Sequence, residues 1–258
     1  MSNPILRKYF RKGMYDDYYE GNDRVYESEL VTTEEPMTIS GTINKLALLF
    51  LFLVIGAYSS WAQAMAGMAD KVNILMLTGV LVGFVLAIVI VFKKSTARFL
   101  APIYAICEGL FLGGISALFE KIYPGVAVQA VSASFVAFIS MLLLYKARII
   151  QCTQRFNAVL LTLISSIALI YLIQIFAGFF GRSIPLIFES GVVGIGFSIF
   201  VIIVAALSFI QDFYFIEESS NMMYPKYYEW LGAFGIMVTF VWLYLELLRL
   251  FAQLNSRR

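Results

Sequence analysis

Four charged residues stand inside stretches that are otherwise apolar. Glu108 lies in FLAPIYAICEGLFLGGISALF, Asp212 in VIIVAALSFIQDFYFI, and Glu246 with Arg249 in GIMVTFVWLYLELLRLF. A charge at the centre of a membrane helix costs about 2.5–3.5 kcal/mol on insertion scales, so such residues mark sites that must be partnered or wetted. Carboxyl groups that face one another, or face water, inside a helical bundle form a path for protons or cations. Each changes charge with pH, and two in contact titrate as a coupled pair. Ionised, they offer oxygen ligands to a hard cation such as Ca²⁺, and Asp212 with Glu246 is the candidate metal-ligating pair. Arg249 follows Glu246 at i+3 on the same helix face and is its candidate counter-ion. Each acid also has a purely structural reading, as a neutral carboxyl hydrogen-bonded to a hydroxyl or a backbone carbonyl.

The elements that must hold these residues are membrane helices. Of 258 residues, 60% are hydrophobic and 14% are charged, well below the quarter typical of soluble domains. Seven stretches reach the roughly 20 residues needed to cross a 30 Å hydrocarbon core. They run Leu46–Ala69, Val72–Phe92, Phe99–Phe119, Ile122–Tyr145 (with Pro124-Gly125 near its start), Phe156–Phe180, Gly191–Ile216 and Trp230–Leu254. They are apolar on every side, unlike the alternating strands of a membrane barrel. The expected architecture is an all-α integral membrane protein, a seven-helix bundle over residues 43–254. A polar cytosolic tail over 1–42 precedes it and a short tail over 255–258 follows it. The segment GRSIPLIFES, around Pro185, is apolar enough to dip into the interface.

Basic residues set the orientation. The tail and the loops after helices two, four and six carry twelve (Arg7, Lys8, Arg11, Lys12, Arg24, Lys93, Lys94, Arg98, Lys146, Arg148, Arg155 and Lys226). The other side carries five (Lys71, Lys121, Arg182, Arg257 and Arg258). The N-terminus is therefore expected inside, with Lys45 at the inner end of the first helix. The start, MSNPILRKYFRKG, lacks the apolar core of a cleavable signal peptide. The tail is read as a loosely packed polar segment, or, through Arg7–Lys12, as one that lies on anionic headgroups.

Several classes are excluded. The chain has no histidine, which removes His-based zinc sites, HExxH proteases and Ser-His or Cys-His catalysis. Cys107 and Cys152 fall in a helix and a loop and make poor disulfide partners. No GxSxG is present, and the last helix has no lysine for a retinal Schiff base. No nucleic-acid patch stands out, and nothing points to a bound cofactor. Glu217, Glu218, Glu229 and Lys226 read as a solvated polar face, or as a vestibule that concentrates cations. Tyr224, Tyr227, Tyr228 and Trp230 read as an interfacial aromatic belt. Gly109 and Gly113, Gly191, Gly194 and Gly196, and Gly232 and Gly235 mark close helix contacts.

Helix three, IYAICEGLFLGGISALFEKIYPG, the end of helix six, IQDFYFIEE, and the last helix, WLYLELLRLF, together resemble the transmembrane Bax inhibitor motif family in its bacterial branch, over residues 43–254. The resemblance implies a bundle whose last helix is central and wrapped by the other six. It also implies a pH-sensitive calcium leak, in which aspartates on helices six and seven share a proton. Carried over, those positions are Asp212 and Glu246, with Glu108 matching the acid of helix three. Two features depart from the pattern: the helix-seven acid is a glutamate, and the stretch between the two acids is long. With helix six ending near Ile216 and helix seven starting near Trp230, the acids sit about a dozen residues apart in depth, roughly 20 Å at 1.5 Å per residue.

The leading expectation is a pH-sensitive calcium leak channel of the bacterial cytoplasmic membrane. It would bind no cofactor, with Ca²⁺ as the permeant ion and Asp212, Glu246 and Glu108 along the path. The alternative is a non-conducting membrane regulator that binds a membrane-protein partner such as a protease. An enzyme is not expected.

Overall fold

The computed structural model of the chain describes residues 35–180 and 191–256. The expectations placed on the tail segment Arg7–Lys12, on the Pro185 segment and on Arg257 and Arg258 lie outside the described residues. Pro36–Arg258 forms one compact unit. Among the described residues its seven helices are α1 (Ile39–Met65), α2 (Ala69–Phe92), α3 (Ala97–Ile122), α4 (Val126–Lys146), α5 (Gln154–Phe179), α6 (Val192–Asn221) and α7 (Tyr228–Asn255), with a 3₁₀ turn, Lys94–Thr96, ahead of α3. All seven are long and apolar enough to cross a membrane. The protein is a seven-helix all-α membrane protein.

Local chemistry fixes the helix ends. Thr38 caps α1 by accepting the Gly41 N–H at 3.0 Å, and Thr153 caps α5 by accepting that of Phe156 at 3.1 Å. Between α3 and α4, Glu120 accepts the N–H groups of Gly125 and Ala127 at 2.6 and 3.1 Å. Gly125 turns the chain there at φ 89°, a conformation that favours glycine. Two boundaries differ from the sequence expectation in ways that matter. α1 begins at Ile39, so the membrane unit takes in residues assigned to the polar tail. α6 runs five residues past Ile216, through the polar run EESSN, because Ile216 and Ser219 are buried against the bundle.

The last helix is the most enclosed. The buried share of its spanning window is 67%, against 44% for α3 and α6. It packs against α1, α3, α4 and α6. The expectation of six wrapping helices is thus met by four: α2 packs mainly on α3, and α5 on α6. Both lie at the periphery, and α5 reaches α7 through the Tyr171 side chain.

Small residues set the tightest contacts. On α3, Gly109 and Gly113 lie against the α1 backbone at Leu53 and Ala57, and Gly56 of α1 lies against Ile106. Gly79 of α2 lies against Cys107, in a pairing that the sequence did not mark. The N-terminal segment, the α4–α5 turn and the α6–α7 turn share one face of the bundle. There Met37 bonds to Tyr224, and Arg148 pairs with Glu217 at 2.9 Å. Cys107 and Cys152 are both free thiols.

A side chain at Gly113 has no room beside Ala57. Gly113→Leu is expected to push α1 from α3 and to cost about 1–3 kcal/mol, as overpacking does. Thermal unfolding in detergent should show this, while Gly178→Leu, where nothing lies within 4 Å, stays near wild type.

Candidate functional site

α6 and α7 run antiparallel, and the polar groups that enter the membrane region gather along their seam. On α7 the facing positions recur at three and four residues: Gly232, Gly235, Thr239, Trp242, Glu246, Arg249 and Gln253. Gly232 lies against Ile216, and Gly235 lies opposite Asp212. Thr239 donates its hydroxyl to Asp212 Oδ2 at 2.7 Å. No cationic side chain touches Asp212 among the described residues.

Glu246 lies seven residues beyond Thr239, two turns or about 10 Å along the same face at 1.5 Å per residue. It is 5% exposed. It forms an ion pair with Arg249 at 2.8 Å and accepts the Tyr171 hydroxyl. Arg249 also donates to Ser198 at 3.1 Å, and Ser198 donates to Gln253 at 3.0 Å. Its guanidinium stands 5.6 Å from the Tyr171 ring and 5.9 Å from the Phe197 ring. This end of the seam is therefore a fixed ion pair inside a polar and aromatic cage.

Asp212 and Glu246 share the seam at different levels, and each has its own partner. The longer α6 shortens the depth offset that the sequence suggested, but it does not close it. The side chain that meets Asp212 across the seam is the hydroxyl of Thr239, and the coupled, metal-ligating pair expected of the two acids is not formed. Among the described residues, no group of three or more His, Cys, Asp and Glu side chains is placed to hold a metal ion.

Glu108 is set apart again. It bonds to Tyr104 one turn earlier on α3 and faces Gly83 of α2. Tyr104 packs edge-on against Phe234 of α7 with ring centres 5.0 Å apart, which is the link from Glu108 to the central helix.

Glu229, expected on a solvated face, is 1% exposed. Its carboxylate accepts the N–H and the hydroxyl of Thr38, both at 2.9 Å, and pairs with Lys45. Glu217 is likewise engaged, with Tyr145 and Arg148. Sequence position gave no signal for the Glu229 contact, because its partners lie more than 180 residues away. Of the tyrosines assigned to an aromatic belt, Tyr224 packs edge-on against Tyr228, and Tyr227 packs tilted against Tyr228. A further cavity of about 420 Å³ lies away from the acids, between α1, α3, α4 and α7. It is apolar apart from hydroxyls such as the bonded pair Ser116 and Tyr244.

A polytopic helical protein with acidic side chains carried into its interhelical contacts, Asp212 and Glu246 along one seam and Glu108 at another, is the class that this arrangement defines. A family model described as Bax inhibitor 1 like matches residues 3–256, and the chain belongs to that family. No curated protein matches the chain.

Removing one partner of a buried ion pair costs up to about 3–5 kcal/mol, because it strands the other charge. Arg249→Met is therefore expected to destabilise the protein more than the double variant Glu246→Gln/Arg249→Met. Equal losses of melting temperature in the two would show that the ion pair contributes no coupling.

Proposed function

We propose that this protein is a pH-sensitive cation leak, with calcium as the permeant ion, in which ionisation of Asp212 sets the balance between closed and open forms. The observation that carries the reading is the setting of Asp212: a carboxyl inside the central seam, bonded to the Thr239 hydroxyl, with no counter-charge in contact among the described residues. Membership of the Bax inhibitor 1 like family supports it.

The physical argument runs through the two protonation states. Protonated Asp212 is neutral, and the seam closes around it. Ionised, it is an uncompensated charge in a low-dielectric site, and water or a cation must approach to stabilise it. A ligand or proton shifts a two-state equilibrium by its differential affinity for the two states. Proton loss at Asp212 thus favours the open, hydrated form, and flux rises with pH. Ca²⁺ binds tightly where six to eight oxygens surround it, and Asp212 with Thr239 supplies too few, so the site acts as a step in transit. Glu246, held by Arg249, lines the far half of the seam as a fixed pair. Glu108 acts from the α2–α3 contact through Tyr104. The distribution of basic residues favours a cytosolic N-terminus, and the resemblance to the bacterial branch of the family implies a bacterial cytoplasmic membrane. The protein performs no covalent chemistry and needs no cofactor.

The test is calcium flux into proteoliposomes across mildly acidic to mildly alkaline pH. Flux that rises with pH, and a flattened profile in Asp212→Asn, are the expected results. An unchanged profile in Asp212→Asn would remove Asp212 as the sensor. Absence of flux at every pH would favour the reading of a non-conducting regulator that binds a membrane-protein partner.

A further inference from the structure

We propose that Pro36–Thr38 is a strap that shuts the N-terminal end of the α6–α7 seam, and that Glu229 is the positioning residue that holds it. As a regulation of flux this rests on the cation-leak reading; as a closure of the seam it stands on the contacts alone.

The strap crosses the α6–α7 turn. Pro36 and Pro225 form an isolated antiparallel bridge, and the Met37 N–H donates to the Tyr224 carbonyl at 2.8 Å. The Met37 side chain is 2% exposed and belongs to the same buried cluster as Phe213 and Ile216. A residue outside any helix thus fills part of the core at the mouth of the seam.

Its attachment converges on one carboxylate. Glu229 takes both donors of Thr38 and the ammonium of Lys45, which ties the strap and the first turns of α1 to the first turn of α7. The carboxylate lies close over a glycine of α1: a Cβ at Gly41 would displace it from this position. Below this clamp the seam continues in steps of three residues. Gly232 meets Ile216 and Thr42, and Gly235 meets Asp212. On the way from Asp212 to this face of the bundle, the seam therefore meets Ile216, 6% exposed, and then the strap with its buried methionine. Both are apolar, and water reaches Asp212 from this side only when they part. A buried ion pair is poor stabilisation compared with apolar packing of equal volume, but it is specific, and losing one partner disrupts the contact outright. That suits a catch: three donors from two elements meet at a single side chain, while the bond that ties the strap backbone to the α6–α7 turn is that of Met37 to Tyr224.

Two measurements test it on the full-length protein with Cys107→Ala and Cys152→Ala in the background. First, Ile216→Cys is labelled with a membrane-impermeant maleimide. Labelling is expected to be slow with the catch intact and faster with Glu229→Gln, or with Lys45→Met should Glu229→Gln not fold. Equal labelling rates in folded variants would overturn the strap. Second, Pro36→Cys/Pro225→Cys is oxidised in proteoliposomes. Bridged antiparallel residues sit about 4.5–5.5 Å apart at Cα, inside the disulfide range of about 4.4–6.8 Å. Cross-linking is expected to abolish calcium flux at every pH, and a reductant to restore it. A cross-linked protein that conducts like the reduced one would also overturn the strap. A reduced protein without flux would count against the leak reading instead, and labelling at position 216 would still decide the strap.

Discussion

A carboxylate carried into a hydrocarbon-thick bundle has to be answered by a donor within reach, because the surroundings supply none. Much of the organisation of α6 and α7 follows from how each acid meets that demand. Glu229 is answered by Thr38 and Lys45, and through them α1 is clamped to the start of the central helix. Glu246 is answered by Arg249 and Tyr171, and through Tyr171 the peripheral helix α5 is drawn to the far half of the seam. Asp212 is answered by a single neutral hydroxyl. On α6 and α7, Glu229 and Glu246 are thus ion-paired and Asp212 is met by a hydroxyl alone, as Glu108 is by that of Tyr104 on α3.

The glycines make these contacts geometrically feasible. Where α7 meets α6 it presents Gly232, at which a Cβ would press on Ile216, and Thr239 reaches Asp212 across the same seam. Gly41 lets Glu229 press against α1. Gly109 and Gly113 bring α1 and α3 into backbone contact, and α1 and α3 are both packed on α7. Close backbone approach in membranes relies on small residues, since apolar surface alone gives little drive for one helix to choose another over lipid. The same small residues that assemble the bundle therefore set the distances at which its acids find partners.

The seven helices were legible in the sequence because each is a long apolar run, and that signal needs no knowledge of neighbours. Their ends were less so. EESSN at the end of α6 reads as a polar loop, and it is helical because Ser219 and Ile216 pack inward. The acids were legible as exceptions within apolar runs, but their partners were not. The charge pattern pointed Asp212 toward Glu246, and the structure sets it against Thr239, a residue with no charge to advertise it. Glu229 was hidden among polar neighbours, and its contacts are with residues at the other end of the chain. The Glu246–Arg249 pair was readable because i+3 spacing on a helix is local. What could be read was local periodicity; what could not was the register of α6 against α7, which fixes who faces whom.

That register bears on the form of any pH response. Two carboxyls in contact hold one proton between them and titrate in two separated steps that belong to the pair. A carboxyl facing a threonine has no such partner. The hydroxyl donor meets the carboxyl through one bond and adds no second charge, so the contact seen here is not one in which two carboxyls share a proton. Glu246 does not enter it, because Arg249 already supplies its counter-charge two turns away. Along this seam Asp212 and Glu246 are two separate sites, and Glu108, bonded to Tyr104, is a third that stands apart from both. The family resemblance alone points to a shared proton; the Thr239 contact in this chain points to a simpler switch on the same scaffold.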